Sequence, residues 1–375
     1  MSHATAIVIG AGIVGLALAR ALALRGGRVV VFERHERPVG ATLRNAGAVW
    51  LLGVDDPHEL DQARRSRAVW REFCDDADVW HDPAGCLVPA FDADEWALLQ
   101  EFAAANRGVR ECELLDPAAA RQRSAWVAAR GLRGALYSGE DMLVDPRVVM
   151  RRLPAWLAAR HEIEFRWKHT VTRIEHPYVW SGGRRHAADA IYVAGGAETE
   201  LLLPGLAAEA RPRLQRRLLL RLAAQPDGFR LGAMLCSAAA LARQASAAAP
   251  GLHAHGPGDA GAAPDLRLLQ NGSGELVVDA GLAVDESDAG QRHALAALRR
   301  LVELPDCRIV QGWTLPQLHA PTSAVAMQAA PGVTVAAAPG RSGLGMTTAF
   351  GLAEDIVAGT PRARPADVSL SVRRA

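Results

Sequence analysis

Lysine is nearly absent from this chain of 375 residues. Lys168 is the single lysine, and the rest of the 42 basic residues are arginine. Alanine, arginine, glycine and proline are all abundant, so genome composition accounts for the bias. The scarcity still removes lysine from almost every catalytic role.

The chain also has few cysteines and almost no net charge. The five cysteines lie far apart, their number is odd and no CxxC pair occurs, so neither a disulfide framework nor a zinc site is indicated. His253 and His255 lack a neighbouring carboxylate or cysteine pattern, so we predict no metal site there. The formal net charge of +1 excludes a strong bulk attraction to nucleic acid or to an anionic membrane.

Long hydrophobic runs are missing as well. No stretch approaches the roughly 18 apolar residues of a membrane-spanning helix. The first apolar run lacks a basic leader and is interrupted by Gly10 and Gly12, so it is not a signal peptide, and we expect a cytoplasmic protein. Half of the residues are hydrophobic and 22% are charged, which suits a globular chain of two lobes or one large domain.

The N-terminal residues carry a dinucleotide-binding pattern. A strand at 6–9 is followed by residues 10–15 (GAGIVG), a helix to residue 24, a second strand at 28–32 and then Glu33. The glycines permit a tight turn, a close approach of a pyrophosphate and close packing of the helix on the sheet. The helix N-terminus offers N–H groups to the phosphates. Glu33 would bind ribose hydroxyls and repel a 2′-phosphate, so the pattern argues against NADP but does not separate FAD from NAD.

A second strand, glycine loop and helix lie near the other end of the chain. We predict a strand at 333–337, a loop at 340–348 (GRSGLGMTT) and a helix at 349–358 that ends at Gly359. A helix N-terminus aimed at a flavin pyrimidine ring would stabilise the negative charge that develops there on reduction. A simple turn with flexible glycines is the alternative.

This pair of glycine loops resembles the D-amino-acid oxidase superfamily of FAD enzymes, in the branch with glycine and sarcosine oxidases. The resemblance covers nearly the whole chain. Residues 40–50 (GATLRNAGAVW) fit the loop that runs beside the flavin in that family. Residues 345–354 (GMTTAFGLAE) and 225–232 look closest to a bacterial branch linked to phosphonate breakdown, whose members are implicated in oxidising aminophosphonates.

The resemblance implies an α/β fold with a Rossmann-type FAD-binding domain and a mixed-sheet α+β substrate domain, both discontinuous in sequence. The FAD-binding domain would comprise residues 1–80, 143–213 and 328–375, and the substrate domain residues 81–142 and 214–327. The sequence pattern further predicts helices over 60–73, 93–106 and 146–160, and strands over 170–174, 214–224 and 274–280.

The resemblance also implies FAD as the cofactor and assigns residues to its two halves. The ADP half would be contacted by Gly10, Gly12, Ile13, Val14, Gly15, Glu33, Arg34, Val171, Gly195 and Gly196. The flavin ring would be surrounded by Arg44, Asn45, Ala46, Gly47, Gly343, Leu344, Gly345, Met346 and Thr347.

The implied activity is oxidation of the C–N bond of an amine, amino acid or aminophosphonate. Hydride would pass from the α-carbon of a neutral amine to flavin N5, and the imine would be hydrolysed. Arg44 and Arg341 are candidates for pairing a substrate carboxylate or phosphonate, since a guanidinium matches both anions. Trp50 is a candidate wall of the pocket. For Arg341 a surface position is the alternative, and for Trp50 a place in the core.

The substrate side departs from the family pattern. The branch typically carries Asp-Ser-His-Glu-Tyr where this chain has residues 279–283 (DAGLA), a His-Tyr pair at Arg243-Gln244, a Tyr near Gln317 and a Gln at Leu218. Several polar pocket residues are therefore replaced, which predicts a different, bulkier or more apolar substrate, or the loss of amine oxidation. The arginine-rich residues 211–217 are interpreted as a solvated face rather than an anion site.

Lysine scarcity bears on the electron acceptor. Many oxidases of this superfamily use a lysine above the flavin to promote electron transfer to oxygen, and Lys168 precedes the strand on the adenine side. We therefore expect a dehydrogenase-like enzyme or a sluggish oxidase. A homo- or hetero-oligomer is a separate expectation. Two alternatives stay open: a flavin-binding subunit that passes electrons to a partner protein, and a soluble NAD-dependent dehydrogenase that leaves the C-terminal glycine loop unused.

Overall fold

A computed structural model describes residues 4–204, 213–245, 265–281, 287–319, 326–336 and 344–359. Its helices are α1 (Ile13–Leu24), α2 (Ala41–Arg44), α3 (Pro57–Asp76), α4 (Ala93–Ala105), α5 (Pro117–Arg123), α6 (Pro146–His161), α7 (Thr199–Leu202), α8 (Ala238–Ala245), α9 (Asp288–Leu301) and α10 (Gly345–Ala358). Its strands are β1 (Thr5–Ile9), β2 (Arg28–Glu33), β3 (Ala48–Val49), β4 (His81–Asp82), β5 (Cys86–Ala90), β6 (Cys112–Leu115), β7 (Gly134–Ser138), β8 (Met142–Val144), β9 (Glu164–Trp167), β10 (Val171–Glu175), β11 (Tyr178–Ser181), β12 (Arg184–Ala187), β13 (Ala190–Val193), β14 (Arg213–Leu222), β15 (Met234–Cys236), β16 (Arg267–Gln270), β17 (Leu276–Asp279), β18 (Ile309–His319), β19 (Ala326–Ala330) and β20 (Val333–Ala336).

The N-terminal strand lies inside a mostly parallel sheet. Its order is β19-β20-β13-β1-β2-β9, and within it only β19 runs antiparallel to its neighbour. The strands are short apolar runs because both faces of the sheet are covered. Ala6 and Val8 pack on the helix side with α1, whereas Ile7 and Ile9 pack on the opposite side with the small sheet β10-β11-β12.

Helices α1, α3 and α10 form one layer on that sheet, and the contact between α3 and α10 is close. A Cβ atom on Gly351 would lie 2.3 Å from the carbonyl oxygen of Gln62, so glycine sets the spacing of the two helices. Two hydrogen bonds fix their register. The Gly351 amide donates to Ser66 Oγ at 2.9 Å, and the Trp70 indole donates to the Met346 carbonyl at 2.7 Å.

A second sheet has the order β18-β14-β17-β16-β15-β5-β7-β6 and is antiparallel except where β15 meets β5. Successive side chains of a strand point to opposite faces. In β14, Leu218, Leu220 and Leu222 therefore pack on one face with Leu298 of α9. The other face, here called the inner face, carries Arg217, Leu219 and Arg221 and is turned towards residues 44–50.

The predicted α/β fold with mixed sheets is confirmed, and several element boundaries differ. Helix α10 begins at Gly345, whereas the sequence pattern placed its start at residue 349. The difference arises because the Leu344 carbonyl accepts from the amides of Thr347 and Thr348, which extends the helix into the glycine loop. The parallel sheet draws on residues 5–33, 164–193 and 326–336, and the second sheet on 86–138 and 213–319. The residue-level division into domains stays a prediction.

None of the helices in the described ranges combines the length and the apolar character needed to cross a membrane.

The Gly351→Ala substitution tests the spacing of α3 and α10. The added methyl group would collide with the Gln62 backbone, so we expect the free energy of unfolding to fall by about 1–3 kcal/mol. Denaturant unfolding of the purified protein measures the change. Gly40→Ala is the matched control, because a Cβ there meets nothing within 4 Å, and a change of less than about 0.5 kcal/mol is expected. Equal effects of both substitutions would contradict the packing argument.

Candidate active site

The first glycine loop is shaped by steric limits at two of its glycines. Gly10 has φ +103°, and a Cβ atom there would lie 2.5 Å from the Ala194 carbonyl oxygen. A Cβ atom on Gly15 would lie 1.9 Å from the Gly10 carbonyl oxygen. Both positions therefore exclude any larger residue. At Gly12 the surroundings are open, and the nearest atom to a Cβ would be Thr42 Oγ1 at 3.6 Å.

Helix α1 presents its N-terminus at this open position. Gly12 is the N-cap residue and has no side chain to bond the first-turn amides. The Ile13 amide donates to Thr42 Oγ1 at 3.1 Å, and Val14 is half-buried beside it. A helix end whose N-cap residue is a glycine, with only Thr42 close to it, suits a diphosphate, because the amides and the helix dipole both favour an anion. The loop therefore fits the diphosphate of FAD.

Glu33 at the end of β2 closes the same loop from the other side. Its carboxylate accepts from the Ala11 amide and from the His35 amide, both at 3.0 Å. Arg34 forms an ion pair with Glu198, which lies in the short 3-10 turn that begins at Gly196. The structure thus brings Glu33, Arg34, Gly195 and Gly196 to one edge of the parallel sheet, as an adenosine site requires.

Val171 lies between two sheets rather than at this edge. Its side chain is 5% exposed and packs with Ile9, Phe32 and Val179 between the parallel sheet and the small sheet. The side chain is therefore part of the core, and the contact of its backbone with adenine stays a prediction.

Residues 44–50 form a loop that is turned sharply and fixed at several points. Gly47 has φ +100° and a Cβ atom on it would lie 2.1 Å from the Val144 carbonyl oxygen. Asn45 Oδ1 accepts from the Gly47 amide at 2.8 Å, and the Gly47 carbonyl accepts from the Val144 amide at 2.9 Å. Only glycine fits where the loop joins β3 and β8.

The same loop meets the N-terminus of α10. The Trp50 amide donates to Thr347 Oγ1 at 2.9 Å. Leu344, Met346 and Thr347 are buried there and Gly345 is half-buried. The two segments that the resemblance assigned to the flavin ring are therefore adjacent. Arg341 and Gly343 lie outside the described residues.

Arg44 and Trp50 occupy different surroundings. The Arg44 side chain is exposed, and its carbonyl oxygen accepts from the Trp313 indole at 2.9 Å. Trp50 is 1% exposed, and the guanidinium of Arg267 lies 4.5 Å from the centre of its ring. Trp50 therefore takes the core position that the sequence left open as the alternative.

A cluster of buried charged side chains lies on the inner face above Trp50. Arg217, 1% exposed, contacts Asp279 at 2.9 Å and Asp265 at 3.3 Å. Arg267 also pairs with Asp279, and Arg243 lies 3.4 Å from Asp265. We call these five residues the charged cluster. The interpretation of residues 211–217 as a solvated face is wrong for Arg217, because strand alternation turns it inward, while Arg216 is exposed.

The charged cluster holds three guanidinium groups against two carboxylates. Burial alone would raise the pKa of Asp279, but Arg217 and Arg267 outweigh it and hold the pKa below its usual range. The Asp279 carboxylate is therefore ionised and paired with both guanidinium groups. Among the described residues, Arg267 Nε has no hydrogen-bond partner. Sequence reasoning missed Asp265 and Arg267, although charged residues in and beside an apolar strand were a signal.

Two further residues missed from the sequence hold the segment after Trp50. Asp141 is fully buried, and its Oδ1 accepts from the Leu52 amide at 3.0 Å. Arg110 donates to the carbonyl oxygens of Leu51, at 2.8 Å, and Val54. Burial raises the pKa of Asp141 to about 6, and hydrogen bonds from Ser138 and Leu52 offset part of that rise.

Lys168 lies on the adenosine side of the molecule. Its backbone amide donates to the His35 carbonyl, and its Nζ lies 3.7 Å from Glu36 at an exposed position. Within the ranges that the structure covers, no group of three or more His, Cys, Asp or Glu is arranged to hold a metal ion. His253 and His255 lie outside those ranges.

Residues 5–358 match the family model described as FAD dependent oxidoreductase, DAO. The fold is similar to that of L-proline dehydrogenase from P. horikoshii (TM-score 0.77, 18% identity, 96% of this chain and 95% of that chain). It is also similar to glycine oxidase from Geobacillus kaustophilus (TM-score 0.71, 20% identity, 99% and 100%) and iminodiacetate oxidase from Chelativorans sp. BNC1 (TM-score 0.71, 18% identity, 96% and 97%).

A curated relative shares a shorter segment. The bifunctional tRNA 5-methylaminomethyl-2-thiouridine biosynthesis protein of Ralstonia nicotianae is 31% identical over 178 residues, which cover 45% of this chain. The match spans 26% of that relative, so about three quarters of its length have no counterpart in the match.

Asp141→Asn tests the buried carboxyl group. Its pKa rises from 3.8 to about 6 on folding, so the stabilisation by the protonated form is complete below pH 3.8 and is lost as the pH rises through 6. Asparagine cannot ionise, so the stability of the variant relative to the parent should increase between pH 4 and 7, by at most about 3 kcal/mol. Denaturant unfolding at several pH values measures this difference.

Asp306→Asn serves as the control for that titration. Asp306 is at the surface, and Arg308 holds its pKa below the usual value, so its removal should give no gain of stability over the same range. A stability difference between Asp141→Asn and the parent that does not change with pH would contradict the assignment of Asp141.

Proposed function

Because the chain belongs to the DAO family of FAD dependent oxidoreductases, we propose that it oxidises the C–N bond of an amine or amino acid that carries an anionic group. The family uses FAD, so the NAD-dependent alternative is set aside. The charged cluster on the inner face is the observation that carries the choice of an anionic substrate.

The residues assigned to FAD lie at the N-terminal ends of two helices, α1 and α10, and in the loops beside them. The open end of α1 at Gly12 would hold the diphosphate, and Glu33 would accept hydrogen bonds from the ribose hydroxyls. The loop 44–50 and the N-terminus of α10 would hold the flavin ring, where the positive end of the helix dipole favours a reduced, negatively charged ring. When bound, FAD supplies the acceptor for the hydride of the substrate α-carbon.

The charged cluster would hold the anionic group of the substrate. A guanidinium in a buried site binds a carboxylate or phosphonate strongly, because little water competes for its N–H groups. Arg267 is best placed, because its guanidinium lies over Trp50, which is bonded to Thr347 at the flavin-ring segment. Arg243 is the second candidate, since its side chain is 17% exposed at the side of the cluster.

This assignment moves the anion site away from the candidates of the sequence. The Arg44 side chain is exposed, and Arg341 lies outside the described residues. Arg243, by contrast, stands where the branch has a histidine and belongs to the charged cluster, together with Asp279, the one residue of the branch's run that this chain keeps. We therefore propose that the substitutions on the substrate side changed how the anion is held and did not remove amine oxidation.

The names of the similar structures agree with this substrate class. Glycine, L-proline and iminodiacetate are all amines that carry a carboxylate, and a guanidinium pairs equally well with a phosphonate. A preference for aminophosphonates, as in the phosphonate-linked branch, is the narrower form of the proposal.

The chain would orient and dehydrate the substrate. An anion held by Arg267 directs the α-carbon towards loop 44–50, and burial of the cluster excludes water and strengthens the ion pair. No basic side chain is needed if the amine binds in its neutral form. Lys168 pairs with Glu36 on the adenosine side, so we propose that electrons pass slowly to oxygen or go to another acceptor.

The visible absorption spectrum of the purified protein tests the function. Glycine, sarcosine, larger D- and L-amino acids and aminoethylphosphonate are added in the absence of air. We expect the flavin bands to bleach with one class of anionic amine and to recover slowly when air is admitted. Bands that bleach with no amine would favour the flavin-binding subunit, and absence of flavin after reconstitution with FAD would overturn the proposal.

Arg267→Gln tests the anion site. The substitution removes the guanidinium over Trp50 and leaves Asp279 paired with Arg217. We expect kcat/KM for the anionic amine to fall at least tenfold, mainly through a higher KM, whereas the matching neutral amide substrate changes far less. Steady-state or stopped-flow reduction kinetics measure both substrates.

Arg300→Gln is the control variant for charge. Arg300 pairs with Asp92 and Glu95 at the surface, and its removal should leave both substrates unaffected. Equal losses for the anionic and the neutral substrate in Arg267→Gln, with normal FAD content, would place the anion elsewhere.

A further inference from the structure

Trp313 connects the inner face of the second sheet to the loop that precedes β3. Its indole N–H donates to the Arg44 carbonyl oxygen at 2.9 Å, although the two residues are 269 positions apart. Its half-buried ring packs on Leu219, Val277 and Leu315, and Ala46 of the loop packs on the same three residues. The tryptophan thus bonds to the loop directly and shares an apolar cluster with it.

A chain of charged side chains leads from α6 to the ring of Trp313. The guanidinium of Arg147, in the first turn of α6, lies 5.9 Å from the centre of the Trp313 ring. Arg147 is 3.6 Å from Glu275, which also accepts from Arg221 of β14 at 2.9 Å. Asn271 donates to Glu275 at 3.0 Å and fixes that carboxylate. The position of the indole is therefore held from both sides.

Two further contacts of this loop lead away from the second sheet. Gly47 bonds to Val144 of β8, and Trp50 bonds to Thr347 of α10. The bond from Trp313 ties the start of the loop to the strand beside β14, and β14 carries Arg217. The spacing between the loop and the charged cluster therefore depends on Trp313 at one end and on Arg267 above Trp50 at the other.

We propose that Trp313 is a positioning residue that fixes residues 44–47 against the inner face and so sets the distance between the flavin-side loop and the anion site. The catalytic consequence rests on the proposed function, whereas the effect on the loop backbone does not. Orientation of reacting groups is sensitive to small displacements, so loss of this bond lowers kcat more than it raises KM.

Trp313→Phe removes the N–H donor and keeps an aromatic ring in place. The matched control is Trp126→Phe. The Trp126 indole also donates to a backbone carbonyl, that of Arg230 at 3.1 Å, and stacks on Phe229 at the outer side of the sheet. Both variants lose one indole hydrogen bond, but only Trp313 contacts the loop.

Hydrogen exchange of the protein stripped of FAD gives the first readout. In Trp313→Phe, the amides of residues 44–47 should exchange about fivefold faster, as expected for the loss of one net hydrogen bond. Trp126→Phe should leave them unchanged. Glu275→Gln, which releases Arg147 from its carboxylate, should accelerate the same amides by a smaller factor. Unchanged exchange at 44–47 in Trp313→Phe would overturn the proposal.

The holoenzyme gives the second readout. In Trp313→Phe we expect a shift of the flavin absorption bands and a fall of kcat of at least fivefold, with KM for the anionic amine within about twofold. Faster exchange with an unaltered flavin spectrum and unaltered kcat would overturn the positioning role. If no amine reduces the flavin of the parent protein, the proposed function fails. The positioning role of Trp313 is then tested by amide exchange and the flavin spectrum alone.

Discussion

A buried charge has to be paired, and the second sheet is organised around that requirement. Arg217 can lie inside the protein only because two carboxylates reach it. Asp279 lies at the end of β17, and Asp265 lies just before β16. Those contacts hold β14, β16 and β17 in one register at the end of the sheet that faces Trp50. Arg267 then lies over the indole, and the indole segment is bonded to α10. The position of the proposed anion site relative to loop 44–50 thus depends on the pairing of one arginine.

The arginine-rich composition suits this arrangement. A guanidinium stays charged when it is buried, whereas a lysine in the same place loses its proton readily. Arg217 also uses the planar fork of donors to bridge Asp265 and Asp279, which an ammonium group does less well. The bias that removes lysine from the chain therefore leaves it well supplied with the side chain that can carry permanent charge into a sheet. The same bias leaves Lys168 as the single lysine for any chemistry that needs a titratable amine side chain.

Local sequence patterns predicted the strand, glycine loop and helix at the N-terminus well and the buried charges of the second sheet poorly, for a physical reason. Gly10 and Gly15 are required by backbone atoms of the same loop or the adjoining strand, so their spacing alone reveals the turn. Arg217 looked solvated because its neighbours in sequence are polar, while its partners lie in other strands. Asp141 and Arg110 support loop 50–54 from distant segments and leave no local signature. The bond from Trp313 to Arg44 joins residues so far apart that no periodicity could have indicated it.

The strand order of the parallel sheet has a consequence for biosynthesis. β1, β2, β9 and β13 are complete once residue 193 has left the ribosome, so the adenosine side can assemble early. β20 joins the sheet only near the end of translation, and Thr347 reaches Trp50 later still. The segments proposed for the ADP half of FAD are therefore complete before those proposed for the flavin ring during most of the synthesis of the second sheet. FAD bound in that interval would be held by its ADP half first, and its flavin ring would be enclosed last.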